Sequence, residues 1–191
     1  FGLQPGELLF TNVAALAPRK DQPTLMRAFR RFLDLGGQGK LVVLGEGESR
    51  TGLERLRRQL GLEDHAFFPG FEPEILPKMG AADVFVGSAR SDGFGSAILD
   101  AMALARPVVA TDAGGVVDAV EPGETGLLVP PEDPAALARG MLDLQRSAAT
   151  RQRMGLAGQR KVEQFDVRRT VELTLASYRE LFDPRPGPVN P

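Results

Sequence analysis

The sequence predicts a doubly wound α/β domain with a parallel, Rossmann-like sheet. Two observations carry that expectation: short apolar runs alternate with helical patterns, and the runs are apolar without interruption. Strand–helix alternation builds βαβ units around a parallel sheet. Uninterrupted apolar strands agree, because a parallel sheet is covered on both faces. At 191 residues, 42% apolar and 25% charged, the chain has the size and composition of one globular domain.

Glu7 to Leu16 (ELLFTNVAAL) reads as the first buried strand. Asp21 is the N-cap of the helix that follows, with Pro23 in its first turn. Leu25, Phe29, Phe32 and Leu33 then stand at i, i+4, i+7 and i+8, the apolar stripe of a helix packed on a sheet. Lys40 to Gly45 is a second strand, and Leu53, Leu56 and Leu60 mark a second helix. Ala66 to Phe71 is a short strand entering a turn. Pro77 interrupts the helical segment Glu74 to Gly80, which is therefore expected to be short or kinked.

Ala82 to Gly87 is the next strand and Gly95 to Ala105 the next helix. Arg106 to Asp112 and Thr125 to Pro130 are the remaining strands. From Pro134 to Phe182 the pattern is helical, with breaks near Ala148 and Asp166. Residues 1–182 thus form one domain, and the proline-rich residues 183–191 are expected to be disordered.

Composition excludes several functions. A net charge of −2 argues against a nucleic-acid partner. With no cysteine and one histidine, His65, there is no thiolate chemistry and no multi-histidine metal site, and a Ser-His-Asp triad is a poor fit. No apolar run approaches the ~18–20 residues of a membrane-spanning helix, and no signal peptide opens the chain. The expected compartment is the cytoplasm, with contact at the inner face of the membrane left open. The first residue is Phe1 rather than methionine, which reads as a piece of a longer chain.

Ligands of doubly wound sheets bind beyond the carboxyl ends of the strands. The loops of interest are therefore 14–22, 45–50, 69–74, 88–96 and 111–116. The fourth of them opens SARSDGFGSAILDAMALARPVVATDAGG, residues 88–115. On a helical wheel Ala101, Met102 and Ala105 cluster with Ile98 toward the sheet, while Asp100 falls opposite, close to Ser96. Asp92 lies in the loop just before the helix. The amides of Phe94 to Ala97, together with the helix dipole, favour an anion such as phosphate. Gly93 and Gly95 let a ligand approach the backbone closely. Anion donors beside two carboxylates suit a ligand carrying both phosphate and hydroxyls, such as a nucleoside diphosphate sugar. Taken singly, Asp92 is more simply a turn or cap residue and Asp100 a solvated helix residue; the shared context unites them.

That stretch resembles the donor-binding signature of the large group 1 family of retaining GT-B glycosyltransferases, which includes many lipopolysaccharide and mannosyl transferases. The family carries an acid, Gly-Phe-Gly, a second acid eight positions after the first, an Ala-Met-Ala helix and a Pro-Val-Val-Ala-Thr strand. NVAALAPRKDQPTLMRAF, LVVLGEGE, FFPGF, AADVFV and GETGLLVPPEDPAALA also match its segments in order, over nearly all of Leu8 to Phe182.

The resemblance implies one half of a GT-B fold and a donor-binding role in a metal-independent, retaining hexosyltransferase. Lys20 would contact the donor diphosphate and Asp92 the donor sugar, the two residues nearest the chemistry. The amides of Gly93, Phe94, Gly95 and Ser96 would meet sugar hydroxyls and phosphate, and Asp100 the ribose hydroxyls. Gly70 and Phe71 would border the base. No cofactor is implied, since the nucleotide sugar is itself the substrate. The acceptor, a glycan or lipid, would sit on an N-terminal domain absent from this chain, and the isolated fragment would transfer no sugar. The full-length enzyme could associate with a membrane surface.

Four positions depart from the family pattern. Both acids are aspartate where glutamate is usual, shortening their reach by roughly 1.5 Å. Ala15 stands where a phosphate-binding arginine is common, with Arg19 a spatial substitute. Arg106 replaces a glycine and reads as a surface residue. A sugar-nucleotide epimerase of GT-B architecture and a non-catalytic nucleotide-sugar-binding module share most of these features. A dinucleotide-dependent dehydrogenase fits poorly, because Arg50 occupies the third glycine position of G-x-G-x-x-G.

Overall fold

The computed structural model describes residues 2–93 and 95–182. Phe94, and with it one of the expected donor-binding residues, lies outside the described residues, as does the 183–191 tail. Six parallel strands form one sheet: β1 (Leu8–Val13), β2 (Gly39–Leu44), β3 (Ala66–Gly70), β4 (Val84–Gly87), β5 (Val108–Thr111) and β6 (Gly126–Val129). Their order is β3-β2-β1-β4-β5-β6. The chain thus winds outward from β1 in one direction and from β4 in the other, so the switch point lies between them.

Helices cover both faces, as the uninterrupted apolar strands require. On one face α1 (Gln22–Asp34), α2 (Arg50–Gln59) and α6 (Pro134–Arg146) pack over a continuous core that includes Phe10, Phe29, Val86 and Leu137. The α1 stripe buries Leu25, Phe29 and Phe32 as the spacing predicts. Phe10 meets Phe29 and Phe32 edge-on, with ring centroids 5.9 and 5.0 Å apart. Each such fully buried side chain contributes roughly 1.5–3 kcal/mol of transfer free energy.

On the other face α3 (Ile75–Gly80), α4 (Ser96–Ala103) and α5 (Val116–Ala119) cover β4 and β5. There the core divides: Leu9, Val42, Leu44 and Ala82 form a separate small cluster beside β1 and β2. The ladder at the switch point is correspondingly short. β1 and β4 are registered at Phe10–Val84 and Thr11–Phe85, whereas β1 and β2 pair along Leu8 to Val13.

Asp21 caps α1 as expected, its carboxylate accepting from the Thr24 amide and hydroxyl. The long helical stretch breaks at Ser147, whose hydroxyl caps α7 (Ala148–Val162), and again at Asp166 before α8 (Val167–Phe182). Helix α3 is short, six residues, but runs through Pro77, which sits in its first turn where a missing N–H is tolerated. The four-residue α5 has no counterpart in the sequence pattern. No residue of α8 is buried, and its Val171, Leu175 and Tyr178 are exposed.

Candidate nucleotide-sugar site

The loops at the carboxyl ends of β1, β4 and β5 enclose a cleft of about 540 Å³ over the switch point. Two of them deliver the central pair. Lys20 closes a 3₁₀ turn, Pro18–Lys20, after β1, and Asp92 follows β4. Their side chains meet across the seam with Lys20 Nζ 2.5 Å from Asp92 Oδ2, each only 16% exposed. The pair expected to serve the chemistry is thus one ion pair, held together by strand order across 72 positions of sequence.

A web of bonds holds those loops. The Ser88 hydroxyl donates to the Lys20 carbonyl at 2.9 Å, and the Arg90 amide donates to the Arg19 carbonyl at 2.9 Å. The Arg90 guanidinium reaches the buried Asp21 carboxylate at 3.1 Å and Glu132, after β6, at 3.2 Å. From the far side, the Gly115 amide donates to the carbonyls of Asp92 and Gly93. Gly114 adopts φ 59 and its backbone comes so near that a Cβ there would lie 2.0 Å from the Asp92 carbonyl oxygen. Thr111 Oγ1 donates to the Ala89 carbonyl at 2.6 Å. Sequence reasoning missed Arg90 and Gly114; the Gly-Gly doublet at a strand's carboxyl end was the available signal for the second.

Helix α4 starts from Gly95, whose φ of 66 suits glycine and which offers no side-chain cap. Ser96 and Ala97 line the cleft at that N-terminus, where the helix dipole favours negative charge. Ile98, Ala101 and Met102 are buried toward the sheet, and Asp100 lines the cleft as the wheel predicts. Asp100 is half-buried, and desolvation pushes its carboxyl above the ordinary aspartate range. Among the described residues it forms no ion pair.

Across the cleft, Phe71 stands 74% exposed at the lip beside Glu72. Gly70 is buried beneath it and outside the lining; its carbonyl accepts from the Gly45 amide at 2.9 Å and so fixes the neighbouring loop. Gly93 is likewise outside the lining, an exposed turn residue whose carbonyl is taken by Gly115. Ala15 and Arg19 both line the cleft and both are exposed.

Other candidates lie elsewhere. Arg50 is engaged by Glu46 and the Phe68 carbonyl. Arg106 is half-buried rather than on the open surface, and donates to the carbonyls of Leu104 and Ala82 at the opposite end of the sheet. His65 approaches the Gly39 carbonyl, at the start of β2, and does not line the cleft. Among the described residues no cluster of three or more metal-ligating side chains occurs, and no helix is long and apolar enough to cross a membrane.

Comparison with known proteins places this site in context. The D-inositol 3-phosphate glycosyltransferase of Nocardia farcinica is 34% identical over 187 residues, 93% of this chain and 41% of its own length. The lipopolysaccharide core biosynthesis glycosyltransferase LpsE of Rhizobium meliloti is 29% identical over 80% of this chain and 48% of its own. The crystal structure of Anabaena HepE in complex with UDP-glucose superposes with a TM-score of 0.82 at 28% identity, over 90% of this chain and 49% of that one. The chain thus spans less than half the length of these relatives. The family model for glycosyl transferases group 1 matches residues 1–161, and the chain belongs to that family.

Proposed function

We propose that this chain binds the nucleoside diphosphate sugar donor of a retaining glycosyltransferase. The observation that carries the reading is the meeting of Lys20, Asp92, the uncapped N-terminus of α4 and Asp100 around one cleft at the switch point. Lys20 and the α4 amides suit the diphosphate, and the carboxylates of Asp92 and Asp100 suit hydroxyls. The similarity to HepE, whose structure holds UDP-glucose, supports the same ligand class.

In transfer, the bond from the sugar's anomeric carbon to the diphosphate breaks, and the nucleoside diphosphate leaves with the electron pair. The acceptor hydroxyl oxygen forms the new bond with anomeric configuration retained, and its proton passes to the departing diphosphate oxygen. Lys20 and the α4 amides stabilise the charge that develops on the leaving phosphate, without a metal ion; fixed donors of this kind usually account for most of the barrier lowering in catalysis. Asp92 orients the donor sugar and Asp100 accepts from the ribose hydroxyls. A second, N-terminal domain binds the glycan or lipid acceptor, and the exposed apolar stripe of α8 packs against it. This chain alone transfers no sugar, because catalysis requires both reactants held together.

Calorimetric titration of the chain with UDP, GDP and ADP, in chelator, tests the reading. Saturable binding of at least one is expected, and silence from all three at millimolar concentration would overturn it.

A further inference from the structure

We propose that Arg90 is a positioning residue for the donor site: its guanidinium, bound to Asp21 and Glu132, sets where Lys20 stands. The inference rests on the nucleotide-sugar reading of the cleft. Arg90 is half-exposed, yet it joins loops from three strands. It follows β4, Asp21 follows β1 and Glu132 follows β6.

Asp21 is the residue through which Arg90 acts. It is 1% exposed, and a buried carboxylate requires a charged or hydrogen-bonded partner. Thr24 supplies two hydrogen bonds and Arg90 the positive charge. Asp21 also holds φ 46, a left-handed conformation that side chains other than glycine adopt at a cost. That turn redirects the chain from Lys20 into α1, so whatever holds Asp21 there also holds the root of the Lys20 side chain. The Arg90 amide and the Ser88 hydroxyl anchor the backbone at Arg19 and Lys20. The guanidinium therefore completes a clamp whose backbone half is already in place, and the same short loop carries Asp92.

Arg90 lies outside the cleft lining. Its removal should weaken diphosphate binding only through Lys20. The test is a double-mutant cycle on the 191-residue chain, titrated with UDP and, in parallel, GDP and ADP. Arg90→Ala is expected to weaken binding about tenfold in the native background, as for residues sharing one network. In a Lys20→Ala background it should change affinity less than about twofold. Arg90→Lys, which keeps a cation beside Asp21, should recover part of the loss.

Because Arg90→Ala strands a buried charge, Arg90→Ala with Asp21→Asn keeps the experiment informative if the single variant unfolds. The double variant folds, retains the cap and still binds weakly. Equal loss in both Lys20 backgrounds, or native affinity in a folded Arg90 variant, overturns the inference. Failure of the unaltered chain to bind any of the three nucleotides overturns instead the reading on which it rests.

Discussion

Gly114 lies against Asp92 with no space between them: a Cβ at position 114 would fall 2.0 Å from the Asp92 carbonyl oxygen. The loop after β5 therefore sets the height at which the Asp92 loop rides over the cleft. Gly114→Ala combines that backbone clash with a φ of 59, a strain of about 1–3 kcal/mol. We expect a lower denaturant midpoint together with weaker nucleotide binding. A variant as stable and as tight as the native chain would show that the two loops move independently.

The Lys20–Asp92 pair leads to a prediction of opposite sign for its two members. Lys20→Ala removes the proposed charge-assisted contact to the diphosphate and should cost about 1.5–3 kcal/mol of nucleotide affinity. Asp92→Asn removes a negative charge from beside the incoming phosphates and should strengthen nucleoside diphosphate binding by about 1 kcal/mol. It should also reduce the preference for the sugar conjugate over the bare nucleotide. Titrating both ligands against both variants decides the matter; equal weakening of both by Asp92→Asn refutes the assigned contact.

Asp100 carries a stability cost that the proposed ribose contact would explain. Burial raises its carboxyl in the folded chain, so its stabilising contribution is fully present below the ordinary aspartate value. That contribution is lost as pH rises through the raised folded value. Asp100→Asn should therefore melt higher than the native chain at neutral pH, with the advantage shrinking on acidification. The same substitution should weaken nucleotide binding at neutral pH. Thermal melts across a pH series, paired with titrations, check both halves, and a variant that melts lower at neutral pH contradicts the desolvation account.

Helix α8 buries none of its residues, so little of the domain's stability resides in it. A chain ended after Asp166 should change in stability by no more than about 0.5 kcal/mol, as for surface changes generally. Its nucleotide affinity should also stay unchanged. A drop of several degrees in melting temperature would mean that α8 packs on this domain after all.

Much of this was legible in the sequence because it is local. The strands announced themselves by uninterrupted apolar runs, and the wheel placed Asp100 on the open side of α4 because Ile98, Ala101 and Met102 must face the sheet. The four residues of α5 are too few to show a helical period. The Arg90–Asp21 contact was hidden for a different reason. It depends on β1 and β4 becoming neighbours and on a side-chain direction, and neither is written in the spacing of residues. The Gly70 carbonyl also fixes the Gly45 loop, a contact visible only once the β2–β3 pairing is known.

The short ladder between β1 and β4 gives the ligand a mechanical part to play. Lys20 hangs from one half of the sheet, while Asp92, Ser96 and Asp100 hang from the other, and only one face of the seam has a continuous core. In the proposed complex, a nucleotide gripped from both sides would be a staple across that seam. Its occupancy adds RT ln(1 + [L]/Kd) to the free energy of any opening that parts the halves. Hydrogen exchange at the β1 and β4 amides slows in proportion wherever exchange proceeds through such an opening. Release of the nucleotide restores the faster rate, so protease sensitivity of the loop after β4 becomes a gauge of how full the cleft is.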